Sequence, residues 1–169
     1  MDLSKQPNLS NLILLFVFVL VAIGILVSRY GVSKPISPAG FQMGCPVPKE
    51  LCGSARAITD EESFGFNLPE GTEIKSPISG SLGIGTLGAS QDAHFVWVTT
   101  SSKDTNTFSV LLIFNGKLPN FKQGSVVGGQ TVGISGKPLE TYGGVNLAVK
   151  VYQGETPASN PLLYLNTTR

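Results

Sequence analysis

The chain has 169 residues, enough for one domain with a modest core after an N-terminal segment is set apart. Its formal net charge is +1 and only 14% of its residues are charged, with acids and bases interspersed, so it carries no basic footprint for nucleic acid. With 20 Gly, 11 Pro and no long run of strong helix formers beyond residue 30, the soluble part is expected to be mainly β, built of short strands and tight turns.

Residues 12–27 are all apolar or Gly, and no charge falls between Gln6 and Ser28. At about 1.5 Å per residue this stretch can cross a hydrocarbon core of roughly 30 Å, so residues 1–30 are expected to hold one transmembrane helix. The alternative is a cleaved signal peptide. Such peptides have shorter apolar cores and end at a small-x-small site, whereas Ser28-Arg29-Tyr30 follows here. A lipid-modified Cys would have to stand directly behind the apolar run, and the Gly44-Cys45 pair lies far downstream. Charge does not orient the helix, because Lys5 and the amino terminus precede it while Arg29 and Lys34 follow.

Cys45 and Cys52 are the only cysteines, close in sequence and flanked by Pro and Gly. That spacing suits a small disulfide loop in an oxidising compartment, which places the C-terminal domain on the outer face of a cell membrane as a single-pass protein. The competing reading is a pair of reduced cytosolic thiols. A metal site built on them would need two more ligands in a chain with a single His.

Residues 31–57 contain Pro35, Pro38, Pro46 and Pro48 with Ser and Gly between them, a composition expected to form an extended stalk. Residues 58–169 carry the β domain. Turn formers bracket two short strands around residues 66–84. Residues 94–100 and 107–114 are rich in β-branched and aromatic side chains and flank a polar turn, the pattern of a hairpin. Residues 124–136 alternate Val or Ile with Gly. Residues 145–152 alternate strictly, with Val145, Leu147, Val149 and Val151 expected on one face and Asn146, Ala148, Lys150 and Tyr152 on the other.

Two short patterns carry no weight. Gly83-Ile84-Gly85 lacks the βαβ context and the third Gly of a dinucleotide fingerprint. Asn166-Thr167-Thr168 fits a glycosylation acceptor, a triplet frequent by chance.

Three segments, in this order, resemble the lysostaphin-type (LytM-like) peptidase domain, whose members hydrolyse peptide cross-links in bacterial cell walls. Pro69-Glu70-Gly71-Thr72-Glu73-Ile74-Lys75-Ser76-Pro77-Ile78-Ser79-Gly80 is similar to the family's Pro-x-Gly-Thr-x-Val-x-Ala-Pro-x-x-Gly corner. Gly124-Ser125-Val126-Val127-Gly128-Gly129-Gln130-Thr131-Val132-Gly133 resembles its Gly-x-x-Val-x-x-Gly-Gln-x-Ile-Gly turn, one residue shorter before Gln130. The strand from Val145 and the closing Asn160-Pro161-Leu162-Leu163-Tyr164-Leu165 resemble the family's end. The first two patterns also occur in biotinyl and lipoyl domains, but no Lys here is flanked by Met as such a carrier requires. The resemblance implies an antiparallel barrel-sandwich hybrid, of the duplicated hybrid motif kind, over residues 58–166.

Zinc hydrolysis needs three protein ligands and an open fourth position, where the metal acidifies a water and polarises the scissile carbonyl. The family supplies two His and one Asp, with another His nearby. By the resemblance, the His and Asp of its His-x-Gly-x-Asp approach fall on Glu61 and Gly65. The two His of its His-Leu-His strand fall on Asn146 and Ala148, and the His of its Tyr-x-His-Leu turn falls on Asn115. No metal, cofactor or catalytic residue is therefore expected. His94 stands in an apolar strand outside these positions and has no identifiable base or carboxylate partner for nucleophilic chemistry.

The leading expectation is a membrane-anchored pseudoenzyme that binds peptidoglycan or regulates a separate wall hydrolase, with Tyr142 and Tyr152 as groove contacts. Rim packing is the plainer role for those two tyrosines. The second reading is a structural or docking subunit of an envelope assembly, and an active zinc metallopeptidase is the third.

Overall fold

The structure is a computed structural model that describes residues 40–58, 62–88, 93–100, 107–120 and 124–167. The chain divides into Met1–Ile36 and a compact unit Ser37–Arg169. The expected transmembrane helix lies outside the described residues. Among the described residues, no helix is long and apolar enough to cross a membrane.

Period-two alternation builds the sheet. Among the described residues ten strands run in chain order: β1 Arg56–Ala57, β2 Ser63–Phe66, β3 Glu73–Lys75, β4 Gly80–Thr86, β5 Ala93–Thr99, β6 Phe108–Lys117, β7 Gly124–Val126, β8 Thr131–Ser135, β9 Leu147–Gln153 and β10 Thr156–Pro157. The main path is β1-β2-β9-β6-β5-β4-β7, with β10 on β9 and β8 bridging β3 to β6. Every strand pairing is antiparallel. The architecture is thus mainly antiparallel β, as expected, but β1 and β7 end the path without meeting, so the sheet is not a closed barrel. The expected hairpin is β5–β6, in register from Ala93↔Asn115 to Thr99↔Ser109.

One face of the sheet buries the principal core. Phe64 and Phe66 of β2, Leu147, Val149 and Val151 of β9, Val110, Leu112 and Phe114 of β6, and Val96 and Val98 of β5 are all fully buried. These are the alternate positions of each strand, and their removal from water is the main force holding the sheet together.

Residues 40–57 are not an extended spacer. Met43 is 0% exposed and Val47 2%, both inside the principal core. The backbone is also engaged: Met43 N–H donates to the Tyr164 carbonyl at 2.9 Å, Gly44 N–H to Pro77 at 2.8 Å, and Lys75 N–H to the Pro46 carbonyl at 2.8 Å. Phe41 stacks on Phe108 with ring centroids 4.1 Å apart. The prolines here do what proline does well, since each keeps a carbonyl acceptor while lacking only the donor. Cys45 and Cys52 form a disulfide that closes this segment around the short 3-10 helix Lys49–Ser54.

Candidate functional site

On the face opposite the principal core, strand register aligns one residue from each of five strands. Gly65 of β2 pairs with Ala148 of β9, Ala148 with Ile113 of β6, Ile113 with Phe95 of β5, and Phe95 with Gly85 of β4. Gly65 and Ala148, matched by the resemblance to two zinc-ligand positions, are therefore direct neighbours across one ladder. An imidazole and a carboxylate at such positions would meet over a single point, because opposed side chains in a sheet lie about 5 Å apart.

Here that point is filled by hydrocarbon. Ile113, Leu139, Val145 and Ala148 form a second buried apolar cluster, with Ile58, Phe95, Leu111 and Tyr142 packed against it. A Cβ added to Gly65 would stand 2.8 Å from a Val145 methyl and 2.8 Å from the Leu147 carbonyl oxygen. Neither distance is tolerable for carbon, so a carboxylate cannot be carried at residue 65 without moving backbone. What remains open beside it is a cleft of about 90 Å³ between Arg56, Ile58, Tyr142 and Val145. Sites for small ligands commonly run from about 300 Å³ upward.

The alternation expected from residue 145 holds for Leu147, Val149 and Val151 but fails for Val145, which joins the second cluster with Ala148. Gly143 and Gly144 have φ of 67° and 75°, a left-handed pair that turns the chain sharply before β9. The turn is closed by Leu139 N–H donating to the Val145 carbonyl at 2.7 Å. It carries Val145 onto the face that the strand pattern assigns to its polar residues.

Asn146 is 6% exposed, and both ends of its amide are engaged. Its Oδ1 accepts from Leu68 N–H at 3.0 Å, and its Nδ2 donates to the Gly136 carbonyl at 2.8 Å. Asn115 stands nearby in register, one place beyond the Phe114↔Leu147 pair, and its Nδ2 donates to the Pro138 carbonyl at 3.2 Å. The two asparagines thus brace the 136–139 turn, Asn115 from β6 and Asn146 from the residue just before β9. Glu61 lies outside the described residues. Among the described residues, no group of three or more His, Cys, Asp or Glu is placed to hold a metal ion. His94 Nε2 lies 3.1 Å from the Gly116 carbonyl, away from this cluster, with its ring against Phe114.

Further along the same face the character changes. Lys150, Leu111 and Trp97 follow in the next row, and Tyr152, Ser109 and Thr99 in the row after. The Trp97 and Tyr152 rings are 5.0 Å apart and tilted by 39°. Trp97 Nε1 donates to Thr99 Oγ1 at 2.6 Å, and that hydroxyl lies 3.0 Å from Ser109 Oγ, so the indole is held in one orientation. Both rings remain partly exposed. Of the two expected groove tyrosines, Tyr152 joins this aromatic pair and Tyr142 packs on the closed end. Trp97 carried no motif, but its strand parity alone places it on the open face.

No protein-family model and no curated protein matches the sequence. Two solved structures share the architecture. A candidate M23 peptidase from Pseudomonas aeruginosa superposes with a TM-score of 0.52 and 19% identity, over 91% of this chain and 60% of that one. Helicobacter pylori Csd3 superposes with a TM-score of 0.53 and 20% identity, over 76% of this chain and 36% of that one. In fold, the chain is LytM-like. It spans less than two thirds of either neighbour, and at this identity the likeness speaks to the fold alone.

Proposed function

We propose that this chain is a membrane-anchored, non-catalytic LytM-like domain that binds cell-wall peptidoglycan or regulates a separate wall hydrolase. The observation that carries the reading is the apolar closure over Gly65 and Ala148. A divalent ion needs lone pairs at about 2 Å, and Val145, Leu139 and Ile113 offer none. With the metal position filled, the water-activating step of the family has no place to occur. What the face retains is a partly exposed aromatic pair flanked by hydroxyls and Lys150, chemistry suited to stacking against sugar rings or peptide planes. The apolar residues 12–27 and the Cys45–Cys52 disulfide support an anchored domain in an oxidising compartment outside the membrane.

Sedimentation with purified peptidoglycan sacculi tests the binding. The wild-type chain is expected to be retained, and Trp97→Ala and Tyr152→Ala to lower retention at least fivefold with unchanged melting. Equal retention of both variants would remove this face from the binding role.

One observation favours a second reading, a docking subunit of an envelope assembly. β7 ends the sheet path and has no second strand partner among the described residues, and Val127 beside it is 66% exposed. An unpaired edge can accept a strand from a partner. Stable oligomers in a chain that ignores sacculi would select this reading.

A further inference from the structure

A cavity of about 630 Å³ opens where residues 41–49 meet the corner at residues 75–79 and the turn at Gly128 and Gly129. It shares no residue with the open sheet face described above. Phe41, Val47, Pro77 and Ile78 are its apolar lining residues, and Lys49 and Lys75 are its cationic ones. No Asp or Glu lines it among the described residues. Among the described residues neither lysine is held in an ion pair, and no acidic residue of the lining offsets their charge.

The walls are fixed rather than adaptable. Val47 is 2% exposed and Ile78 8%, both part of the principal core, and Phe41 is stacked on Phe108. Lys75 rides on β3, whose backbone is tied to Pro46. Lys49 lies within the loop closed by Cys45–Cys52. The disulfide therefore fixes the backbone that carries Lys49, whose side chain is exposed.

The geometry points to this cavity as a site for a carboxylate joined to small apolar groups, the chemistry of a peptide's free C-terminal end. Two ammonium groups answer the charge and spare oxygens of one carboxylate. The apolar walls take the adjoining side chains. Phosphate fits less well, because phosphate sites draw on free backbone N–H groups. Here those of the turn are already used: Gly128 N–H donates to Ser79 Oγ at 2.8 Å and Gly129 N–H to the Ser76 carbonyl at 2.8 Å. The inference stands apart from the wall-binding role of the sheet face.

Titration calorimetry on the full chain in zwitterionic lipid nanodiscs tests it, using acetyl-Ala-Ala as the free acid, its C-terminal amide and inorganic phosphate as probes. The free acid is expected to bind, the amide at least tenfold more weakly, and phosphate not to compete. Lys49→Gln and Lys75→Gln should each weaken the acid at least fivefold while melting and sacculus retention stay at wild-type values. Reduction of the disulfide should weaken it too. Equal affinity for acid and amide, competition by phosphate, or no binding to a chain with wild-type melting would each overturn the assignment.

Discussion

Gly65 shows how one residue can close a site. Its backbone is ordinary extended strand, so no special conformation calls for glycine. What calls for it is the Val145 side chain and the Leu147 carbonyl, both within 2.8 Å of where a Cβ would stand. Gly65→Ala is therefore expected to lower stability by about 1–3 kcal/mol, the usual range for overpacking, measured by chemical denaturation. Pairing it with Val145→Ala should recover only part of that loss, because the carbonyl contact remains. Asn146 makes the complementary point. Asn146→Ala leaves the Leu68 N–H and the Gly136 carbonyl without partners, and a loss of about 1–3 kcal/mol is expected on the same assay. An Asn in a polar-face position can be read from sequence as a lost ligand, and Ala148 equally so. That Asn146 is a brace, and that Val145 covers the site, depends on the Gly143-Gly144 turn redirecting the chain. Strand periodicity carries no trace of such a turn.

At the scale of elements, the strongly patterned segments were the legible ones. The β5–β6 hairpin and β9 follow from runs of β-branched and aromatic residues, and the corner at residues 69–80 from its Gly and Pro positions. Residues 40–57 were opaque for a definite reason. Pro, Gly and Ser are shared by flexible spacers and by irregular chain that packs through its carbonyls, and only tertiary partners such as Tyr164, Pro77 and Lys75 distinguish the two. The disulfide was legible from spacing. It closes a small loop, so the chain-entropy account gives it about 2 kcal/mol. The Cys45→Ser, Cys52→Ser double variant is expected to lose about that much in denaturation. Because Met43 and Val47 sit in the core, the loss should appear in the unfolding of the whole β domain rather than as a separate early transition. A separate transition would show that this segment is an appendage after all.

For the molecule as a whole, the order of three weak motifs pointed to a fold that the sheet topology and two solved neighbours share. The motifs lie in turns, where backbone geometry restricts residue choice. The proposed role was less legible, since it rests on what fills the space over Gly65 and Ala148, and Val145 and Leu139 lie far from Gly65 in sequence. The sheet face is divided: apolar and sealed toward the 136–145 turn, aromatic and partly open toward Thr99 and Tyr152. The proposed role, holding a wall fragment without acting on it, rests on this division of the face.

The most direct test is the zinc content of the folded full chain after equilibration with excess zinc and desalting, read beside cleavage of cross-linked wall peptides by the same sample. The account predicts far less than one zinc per chain and no cleavage above the metal-free control. One tightly held zinc per chain together with cross-link hydrolysis would contradict it.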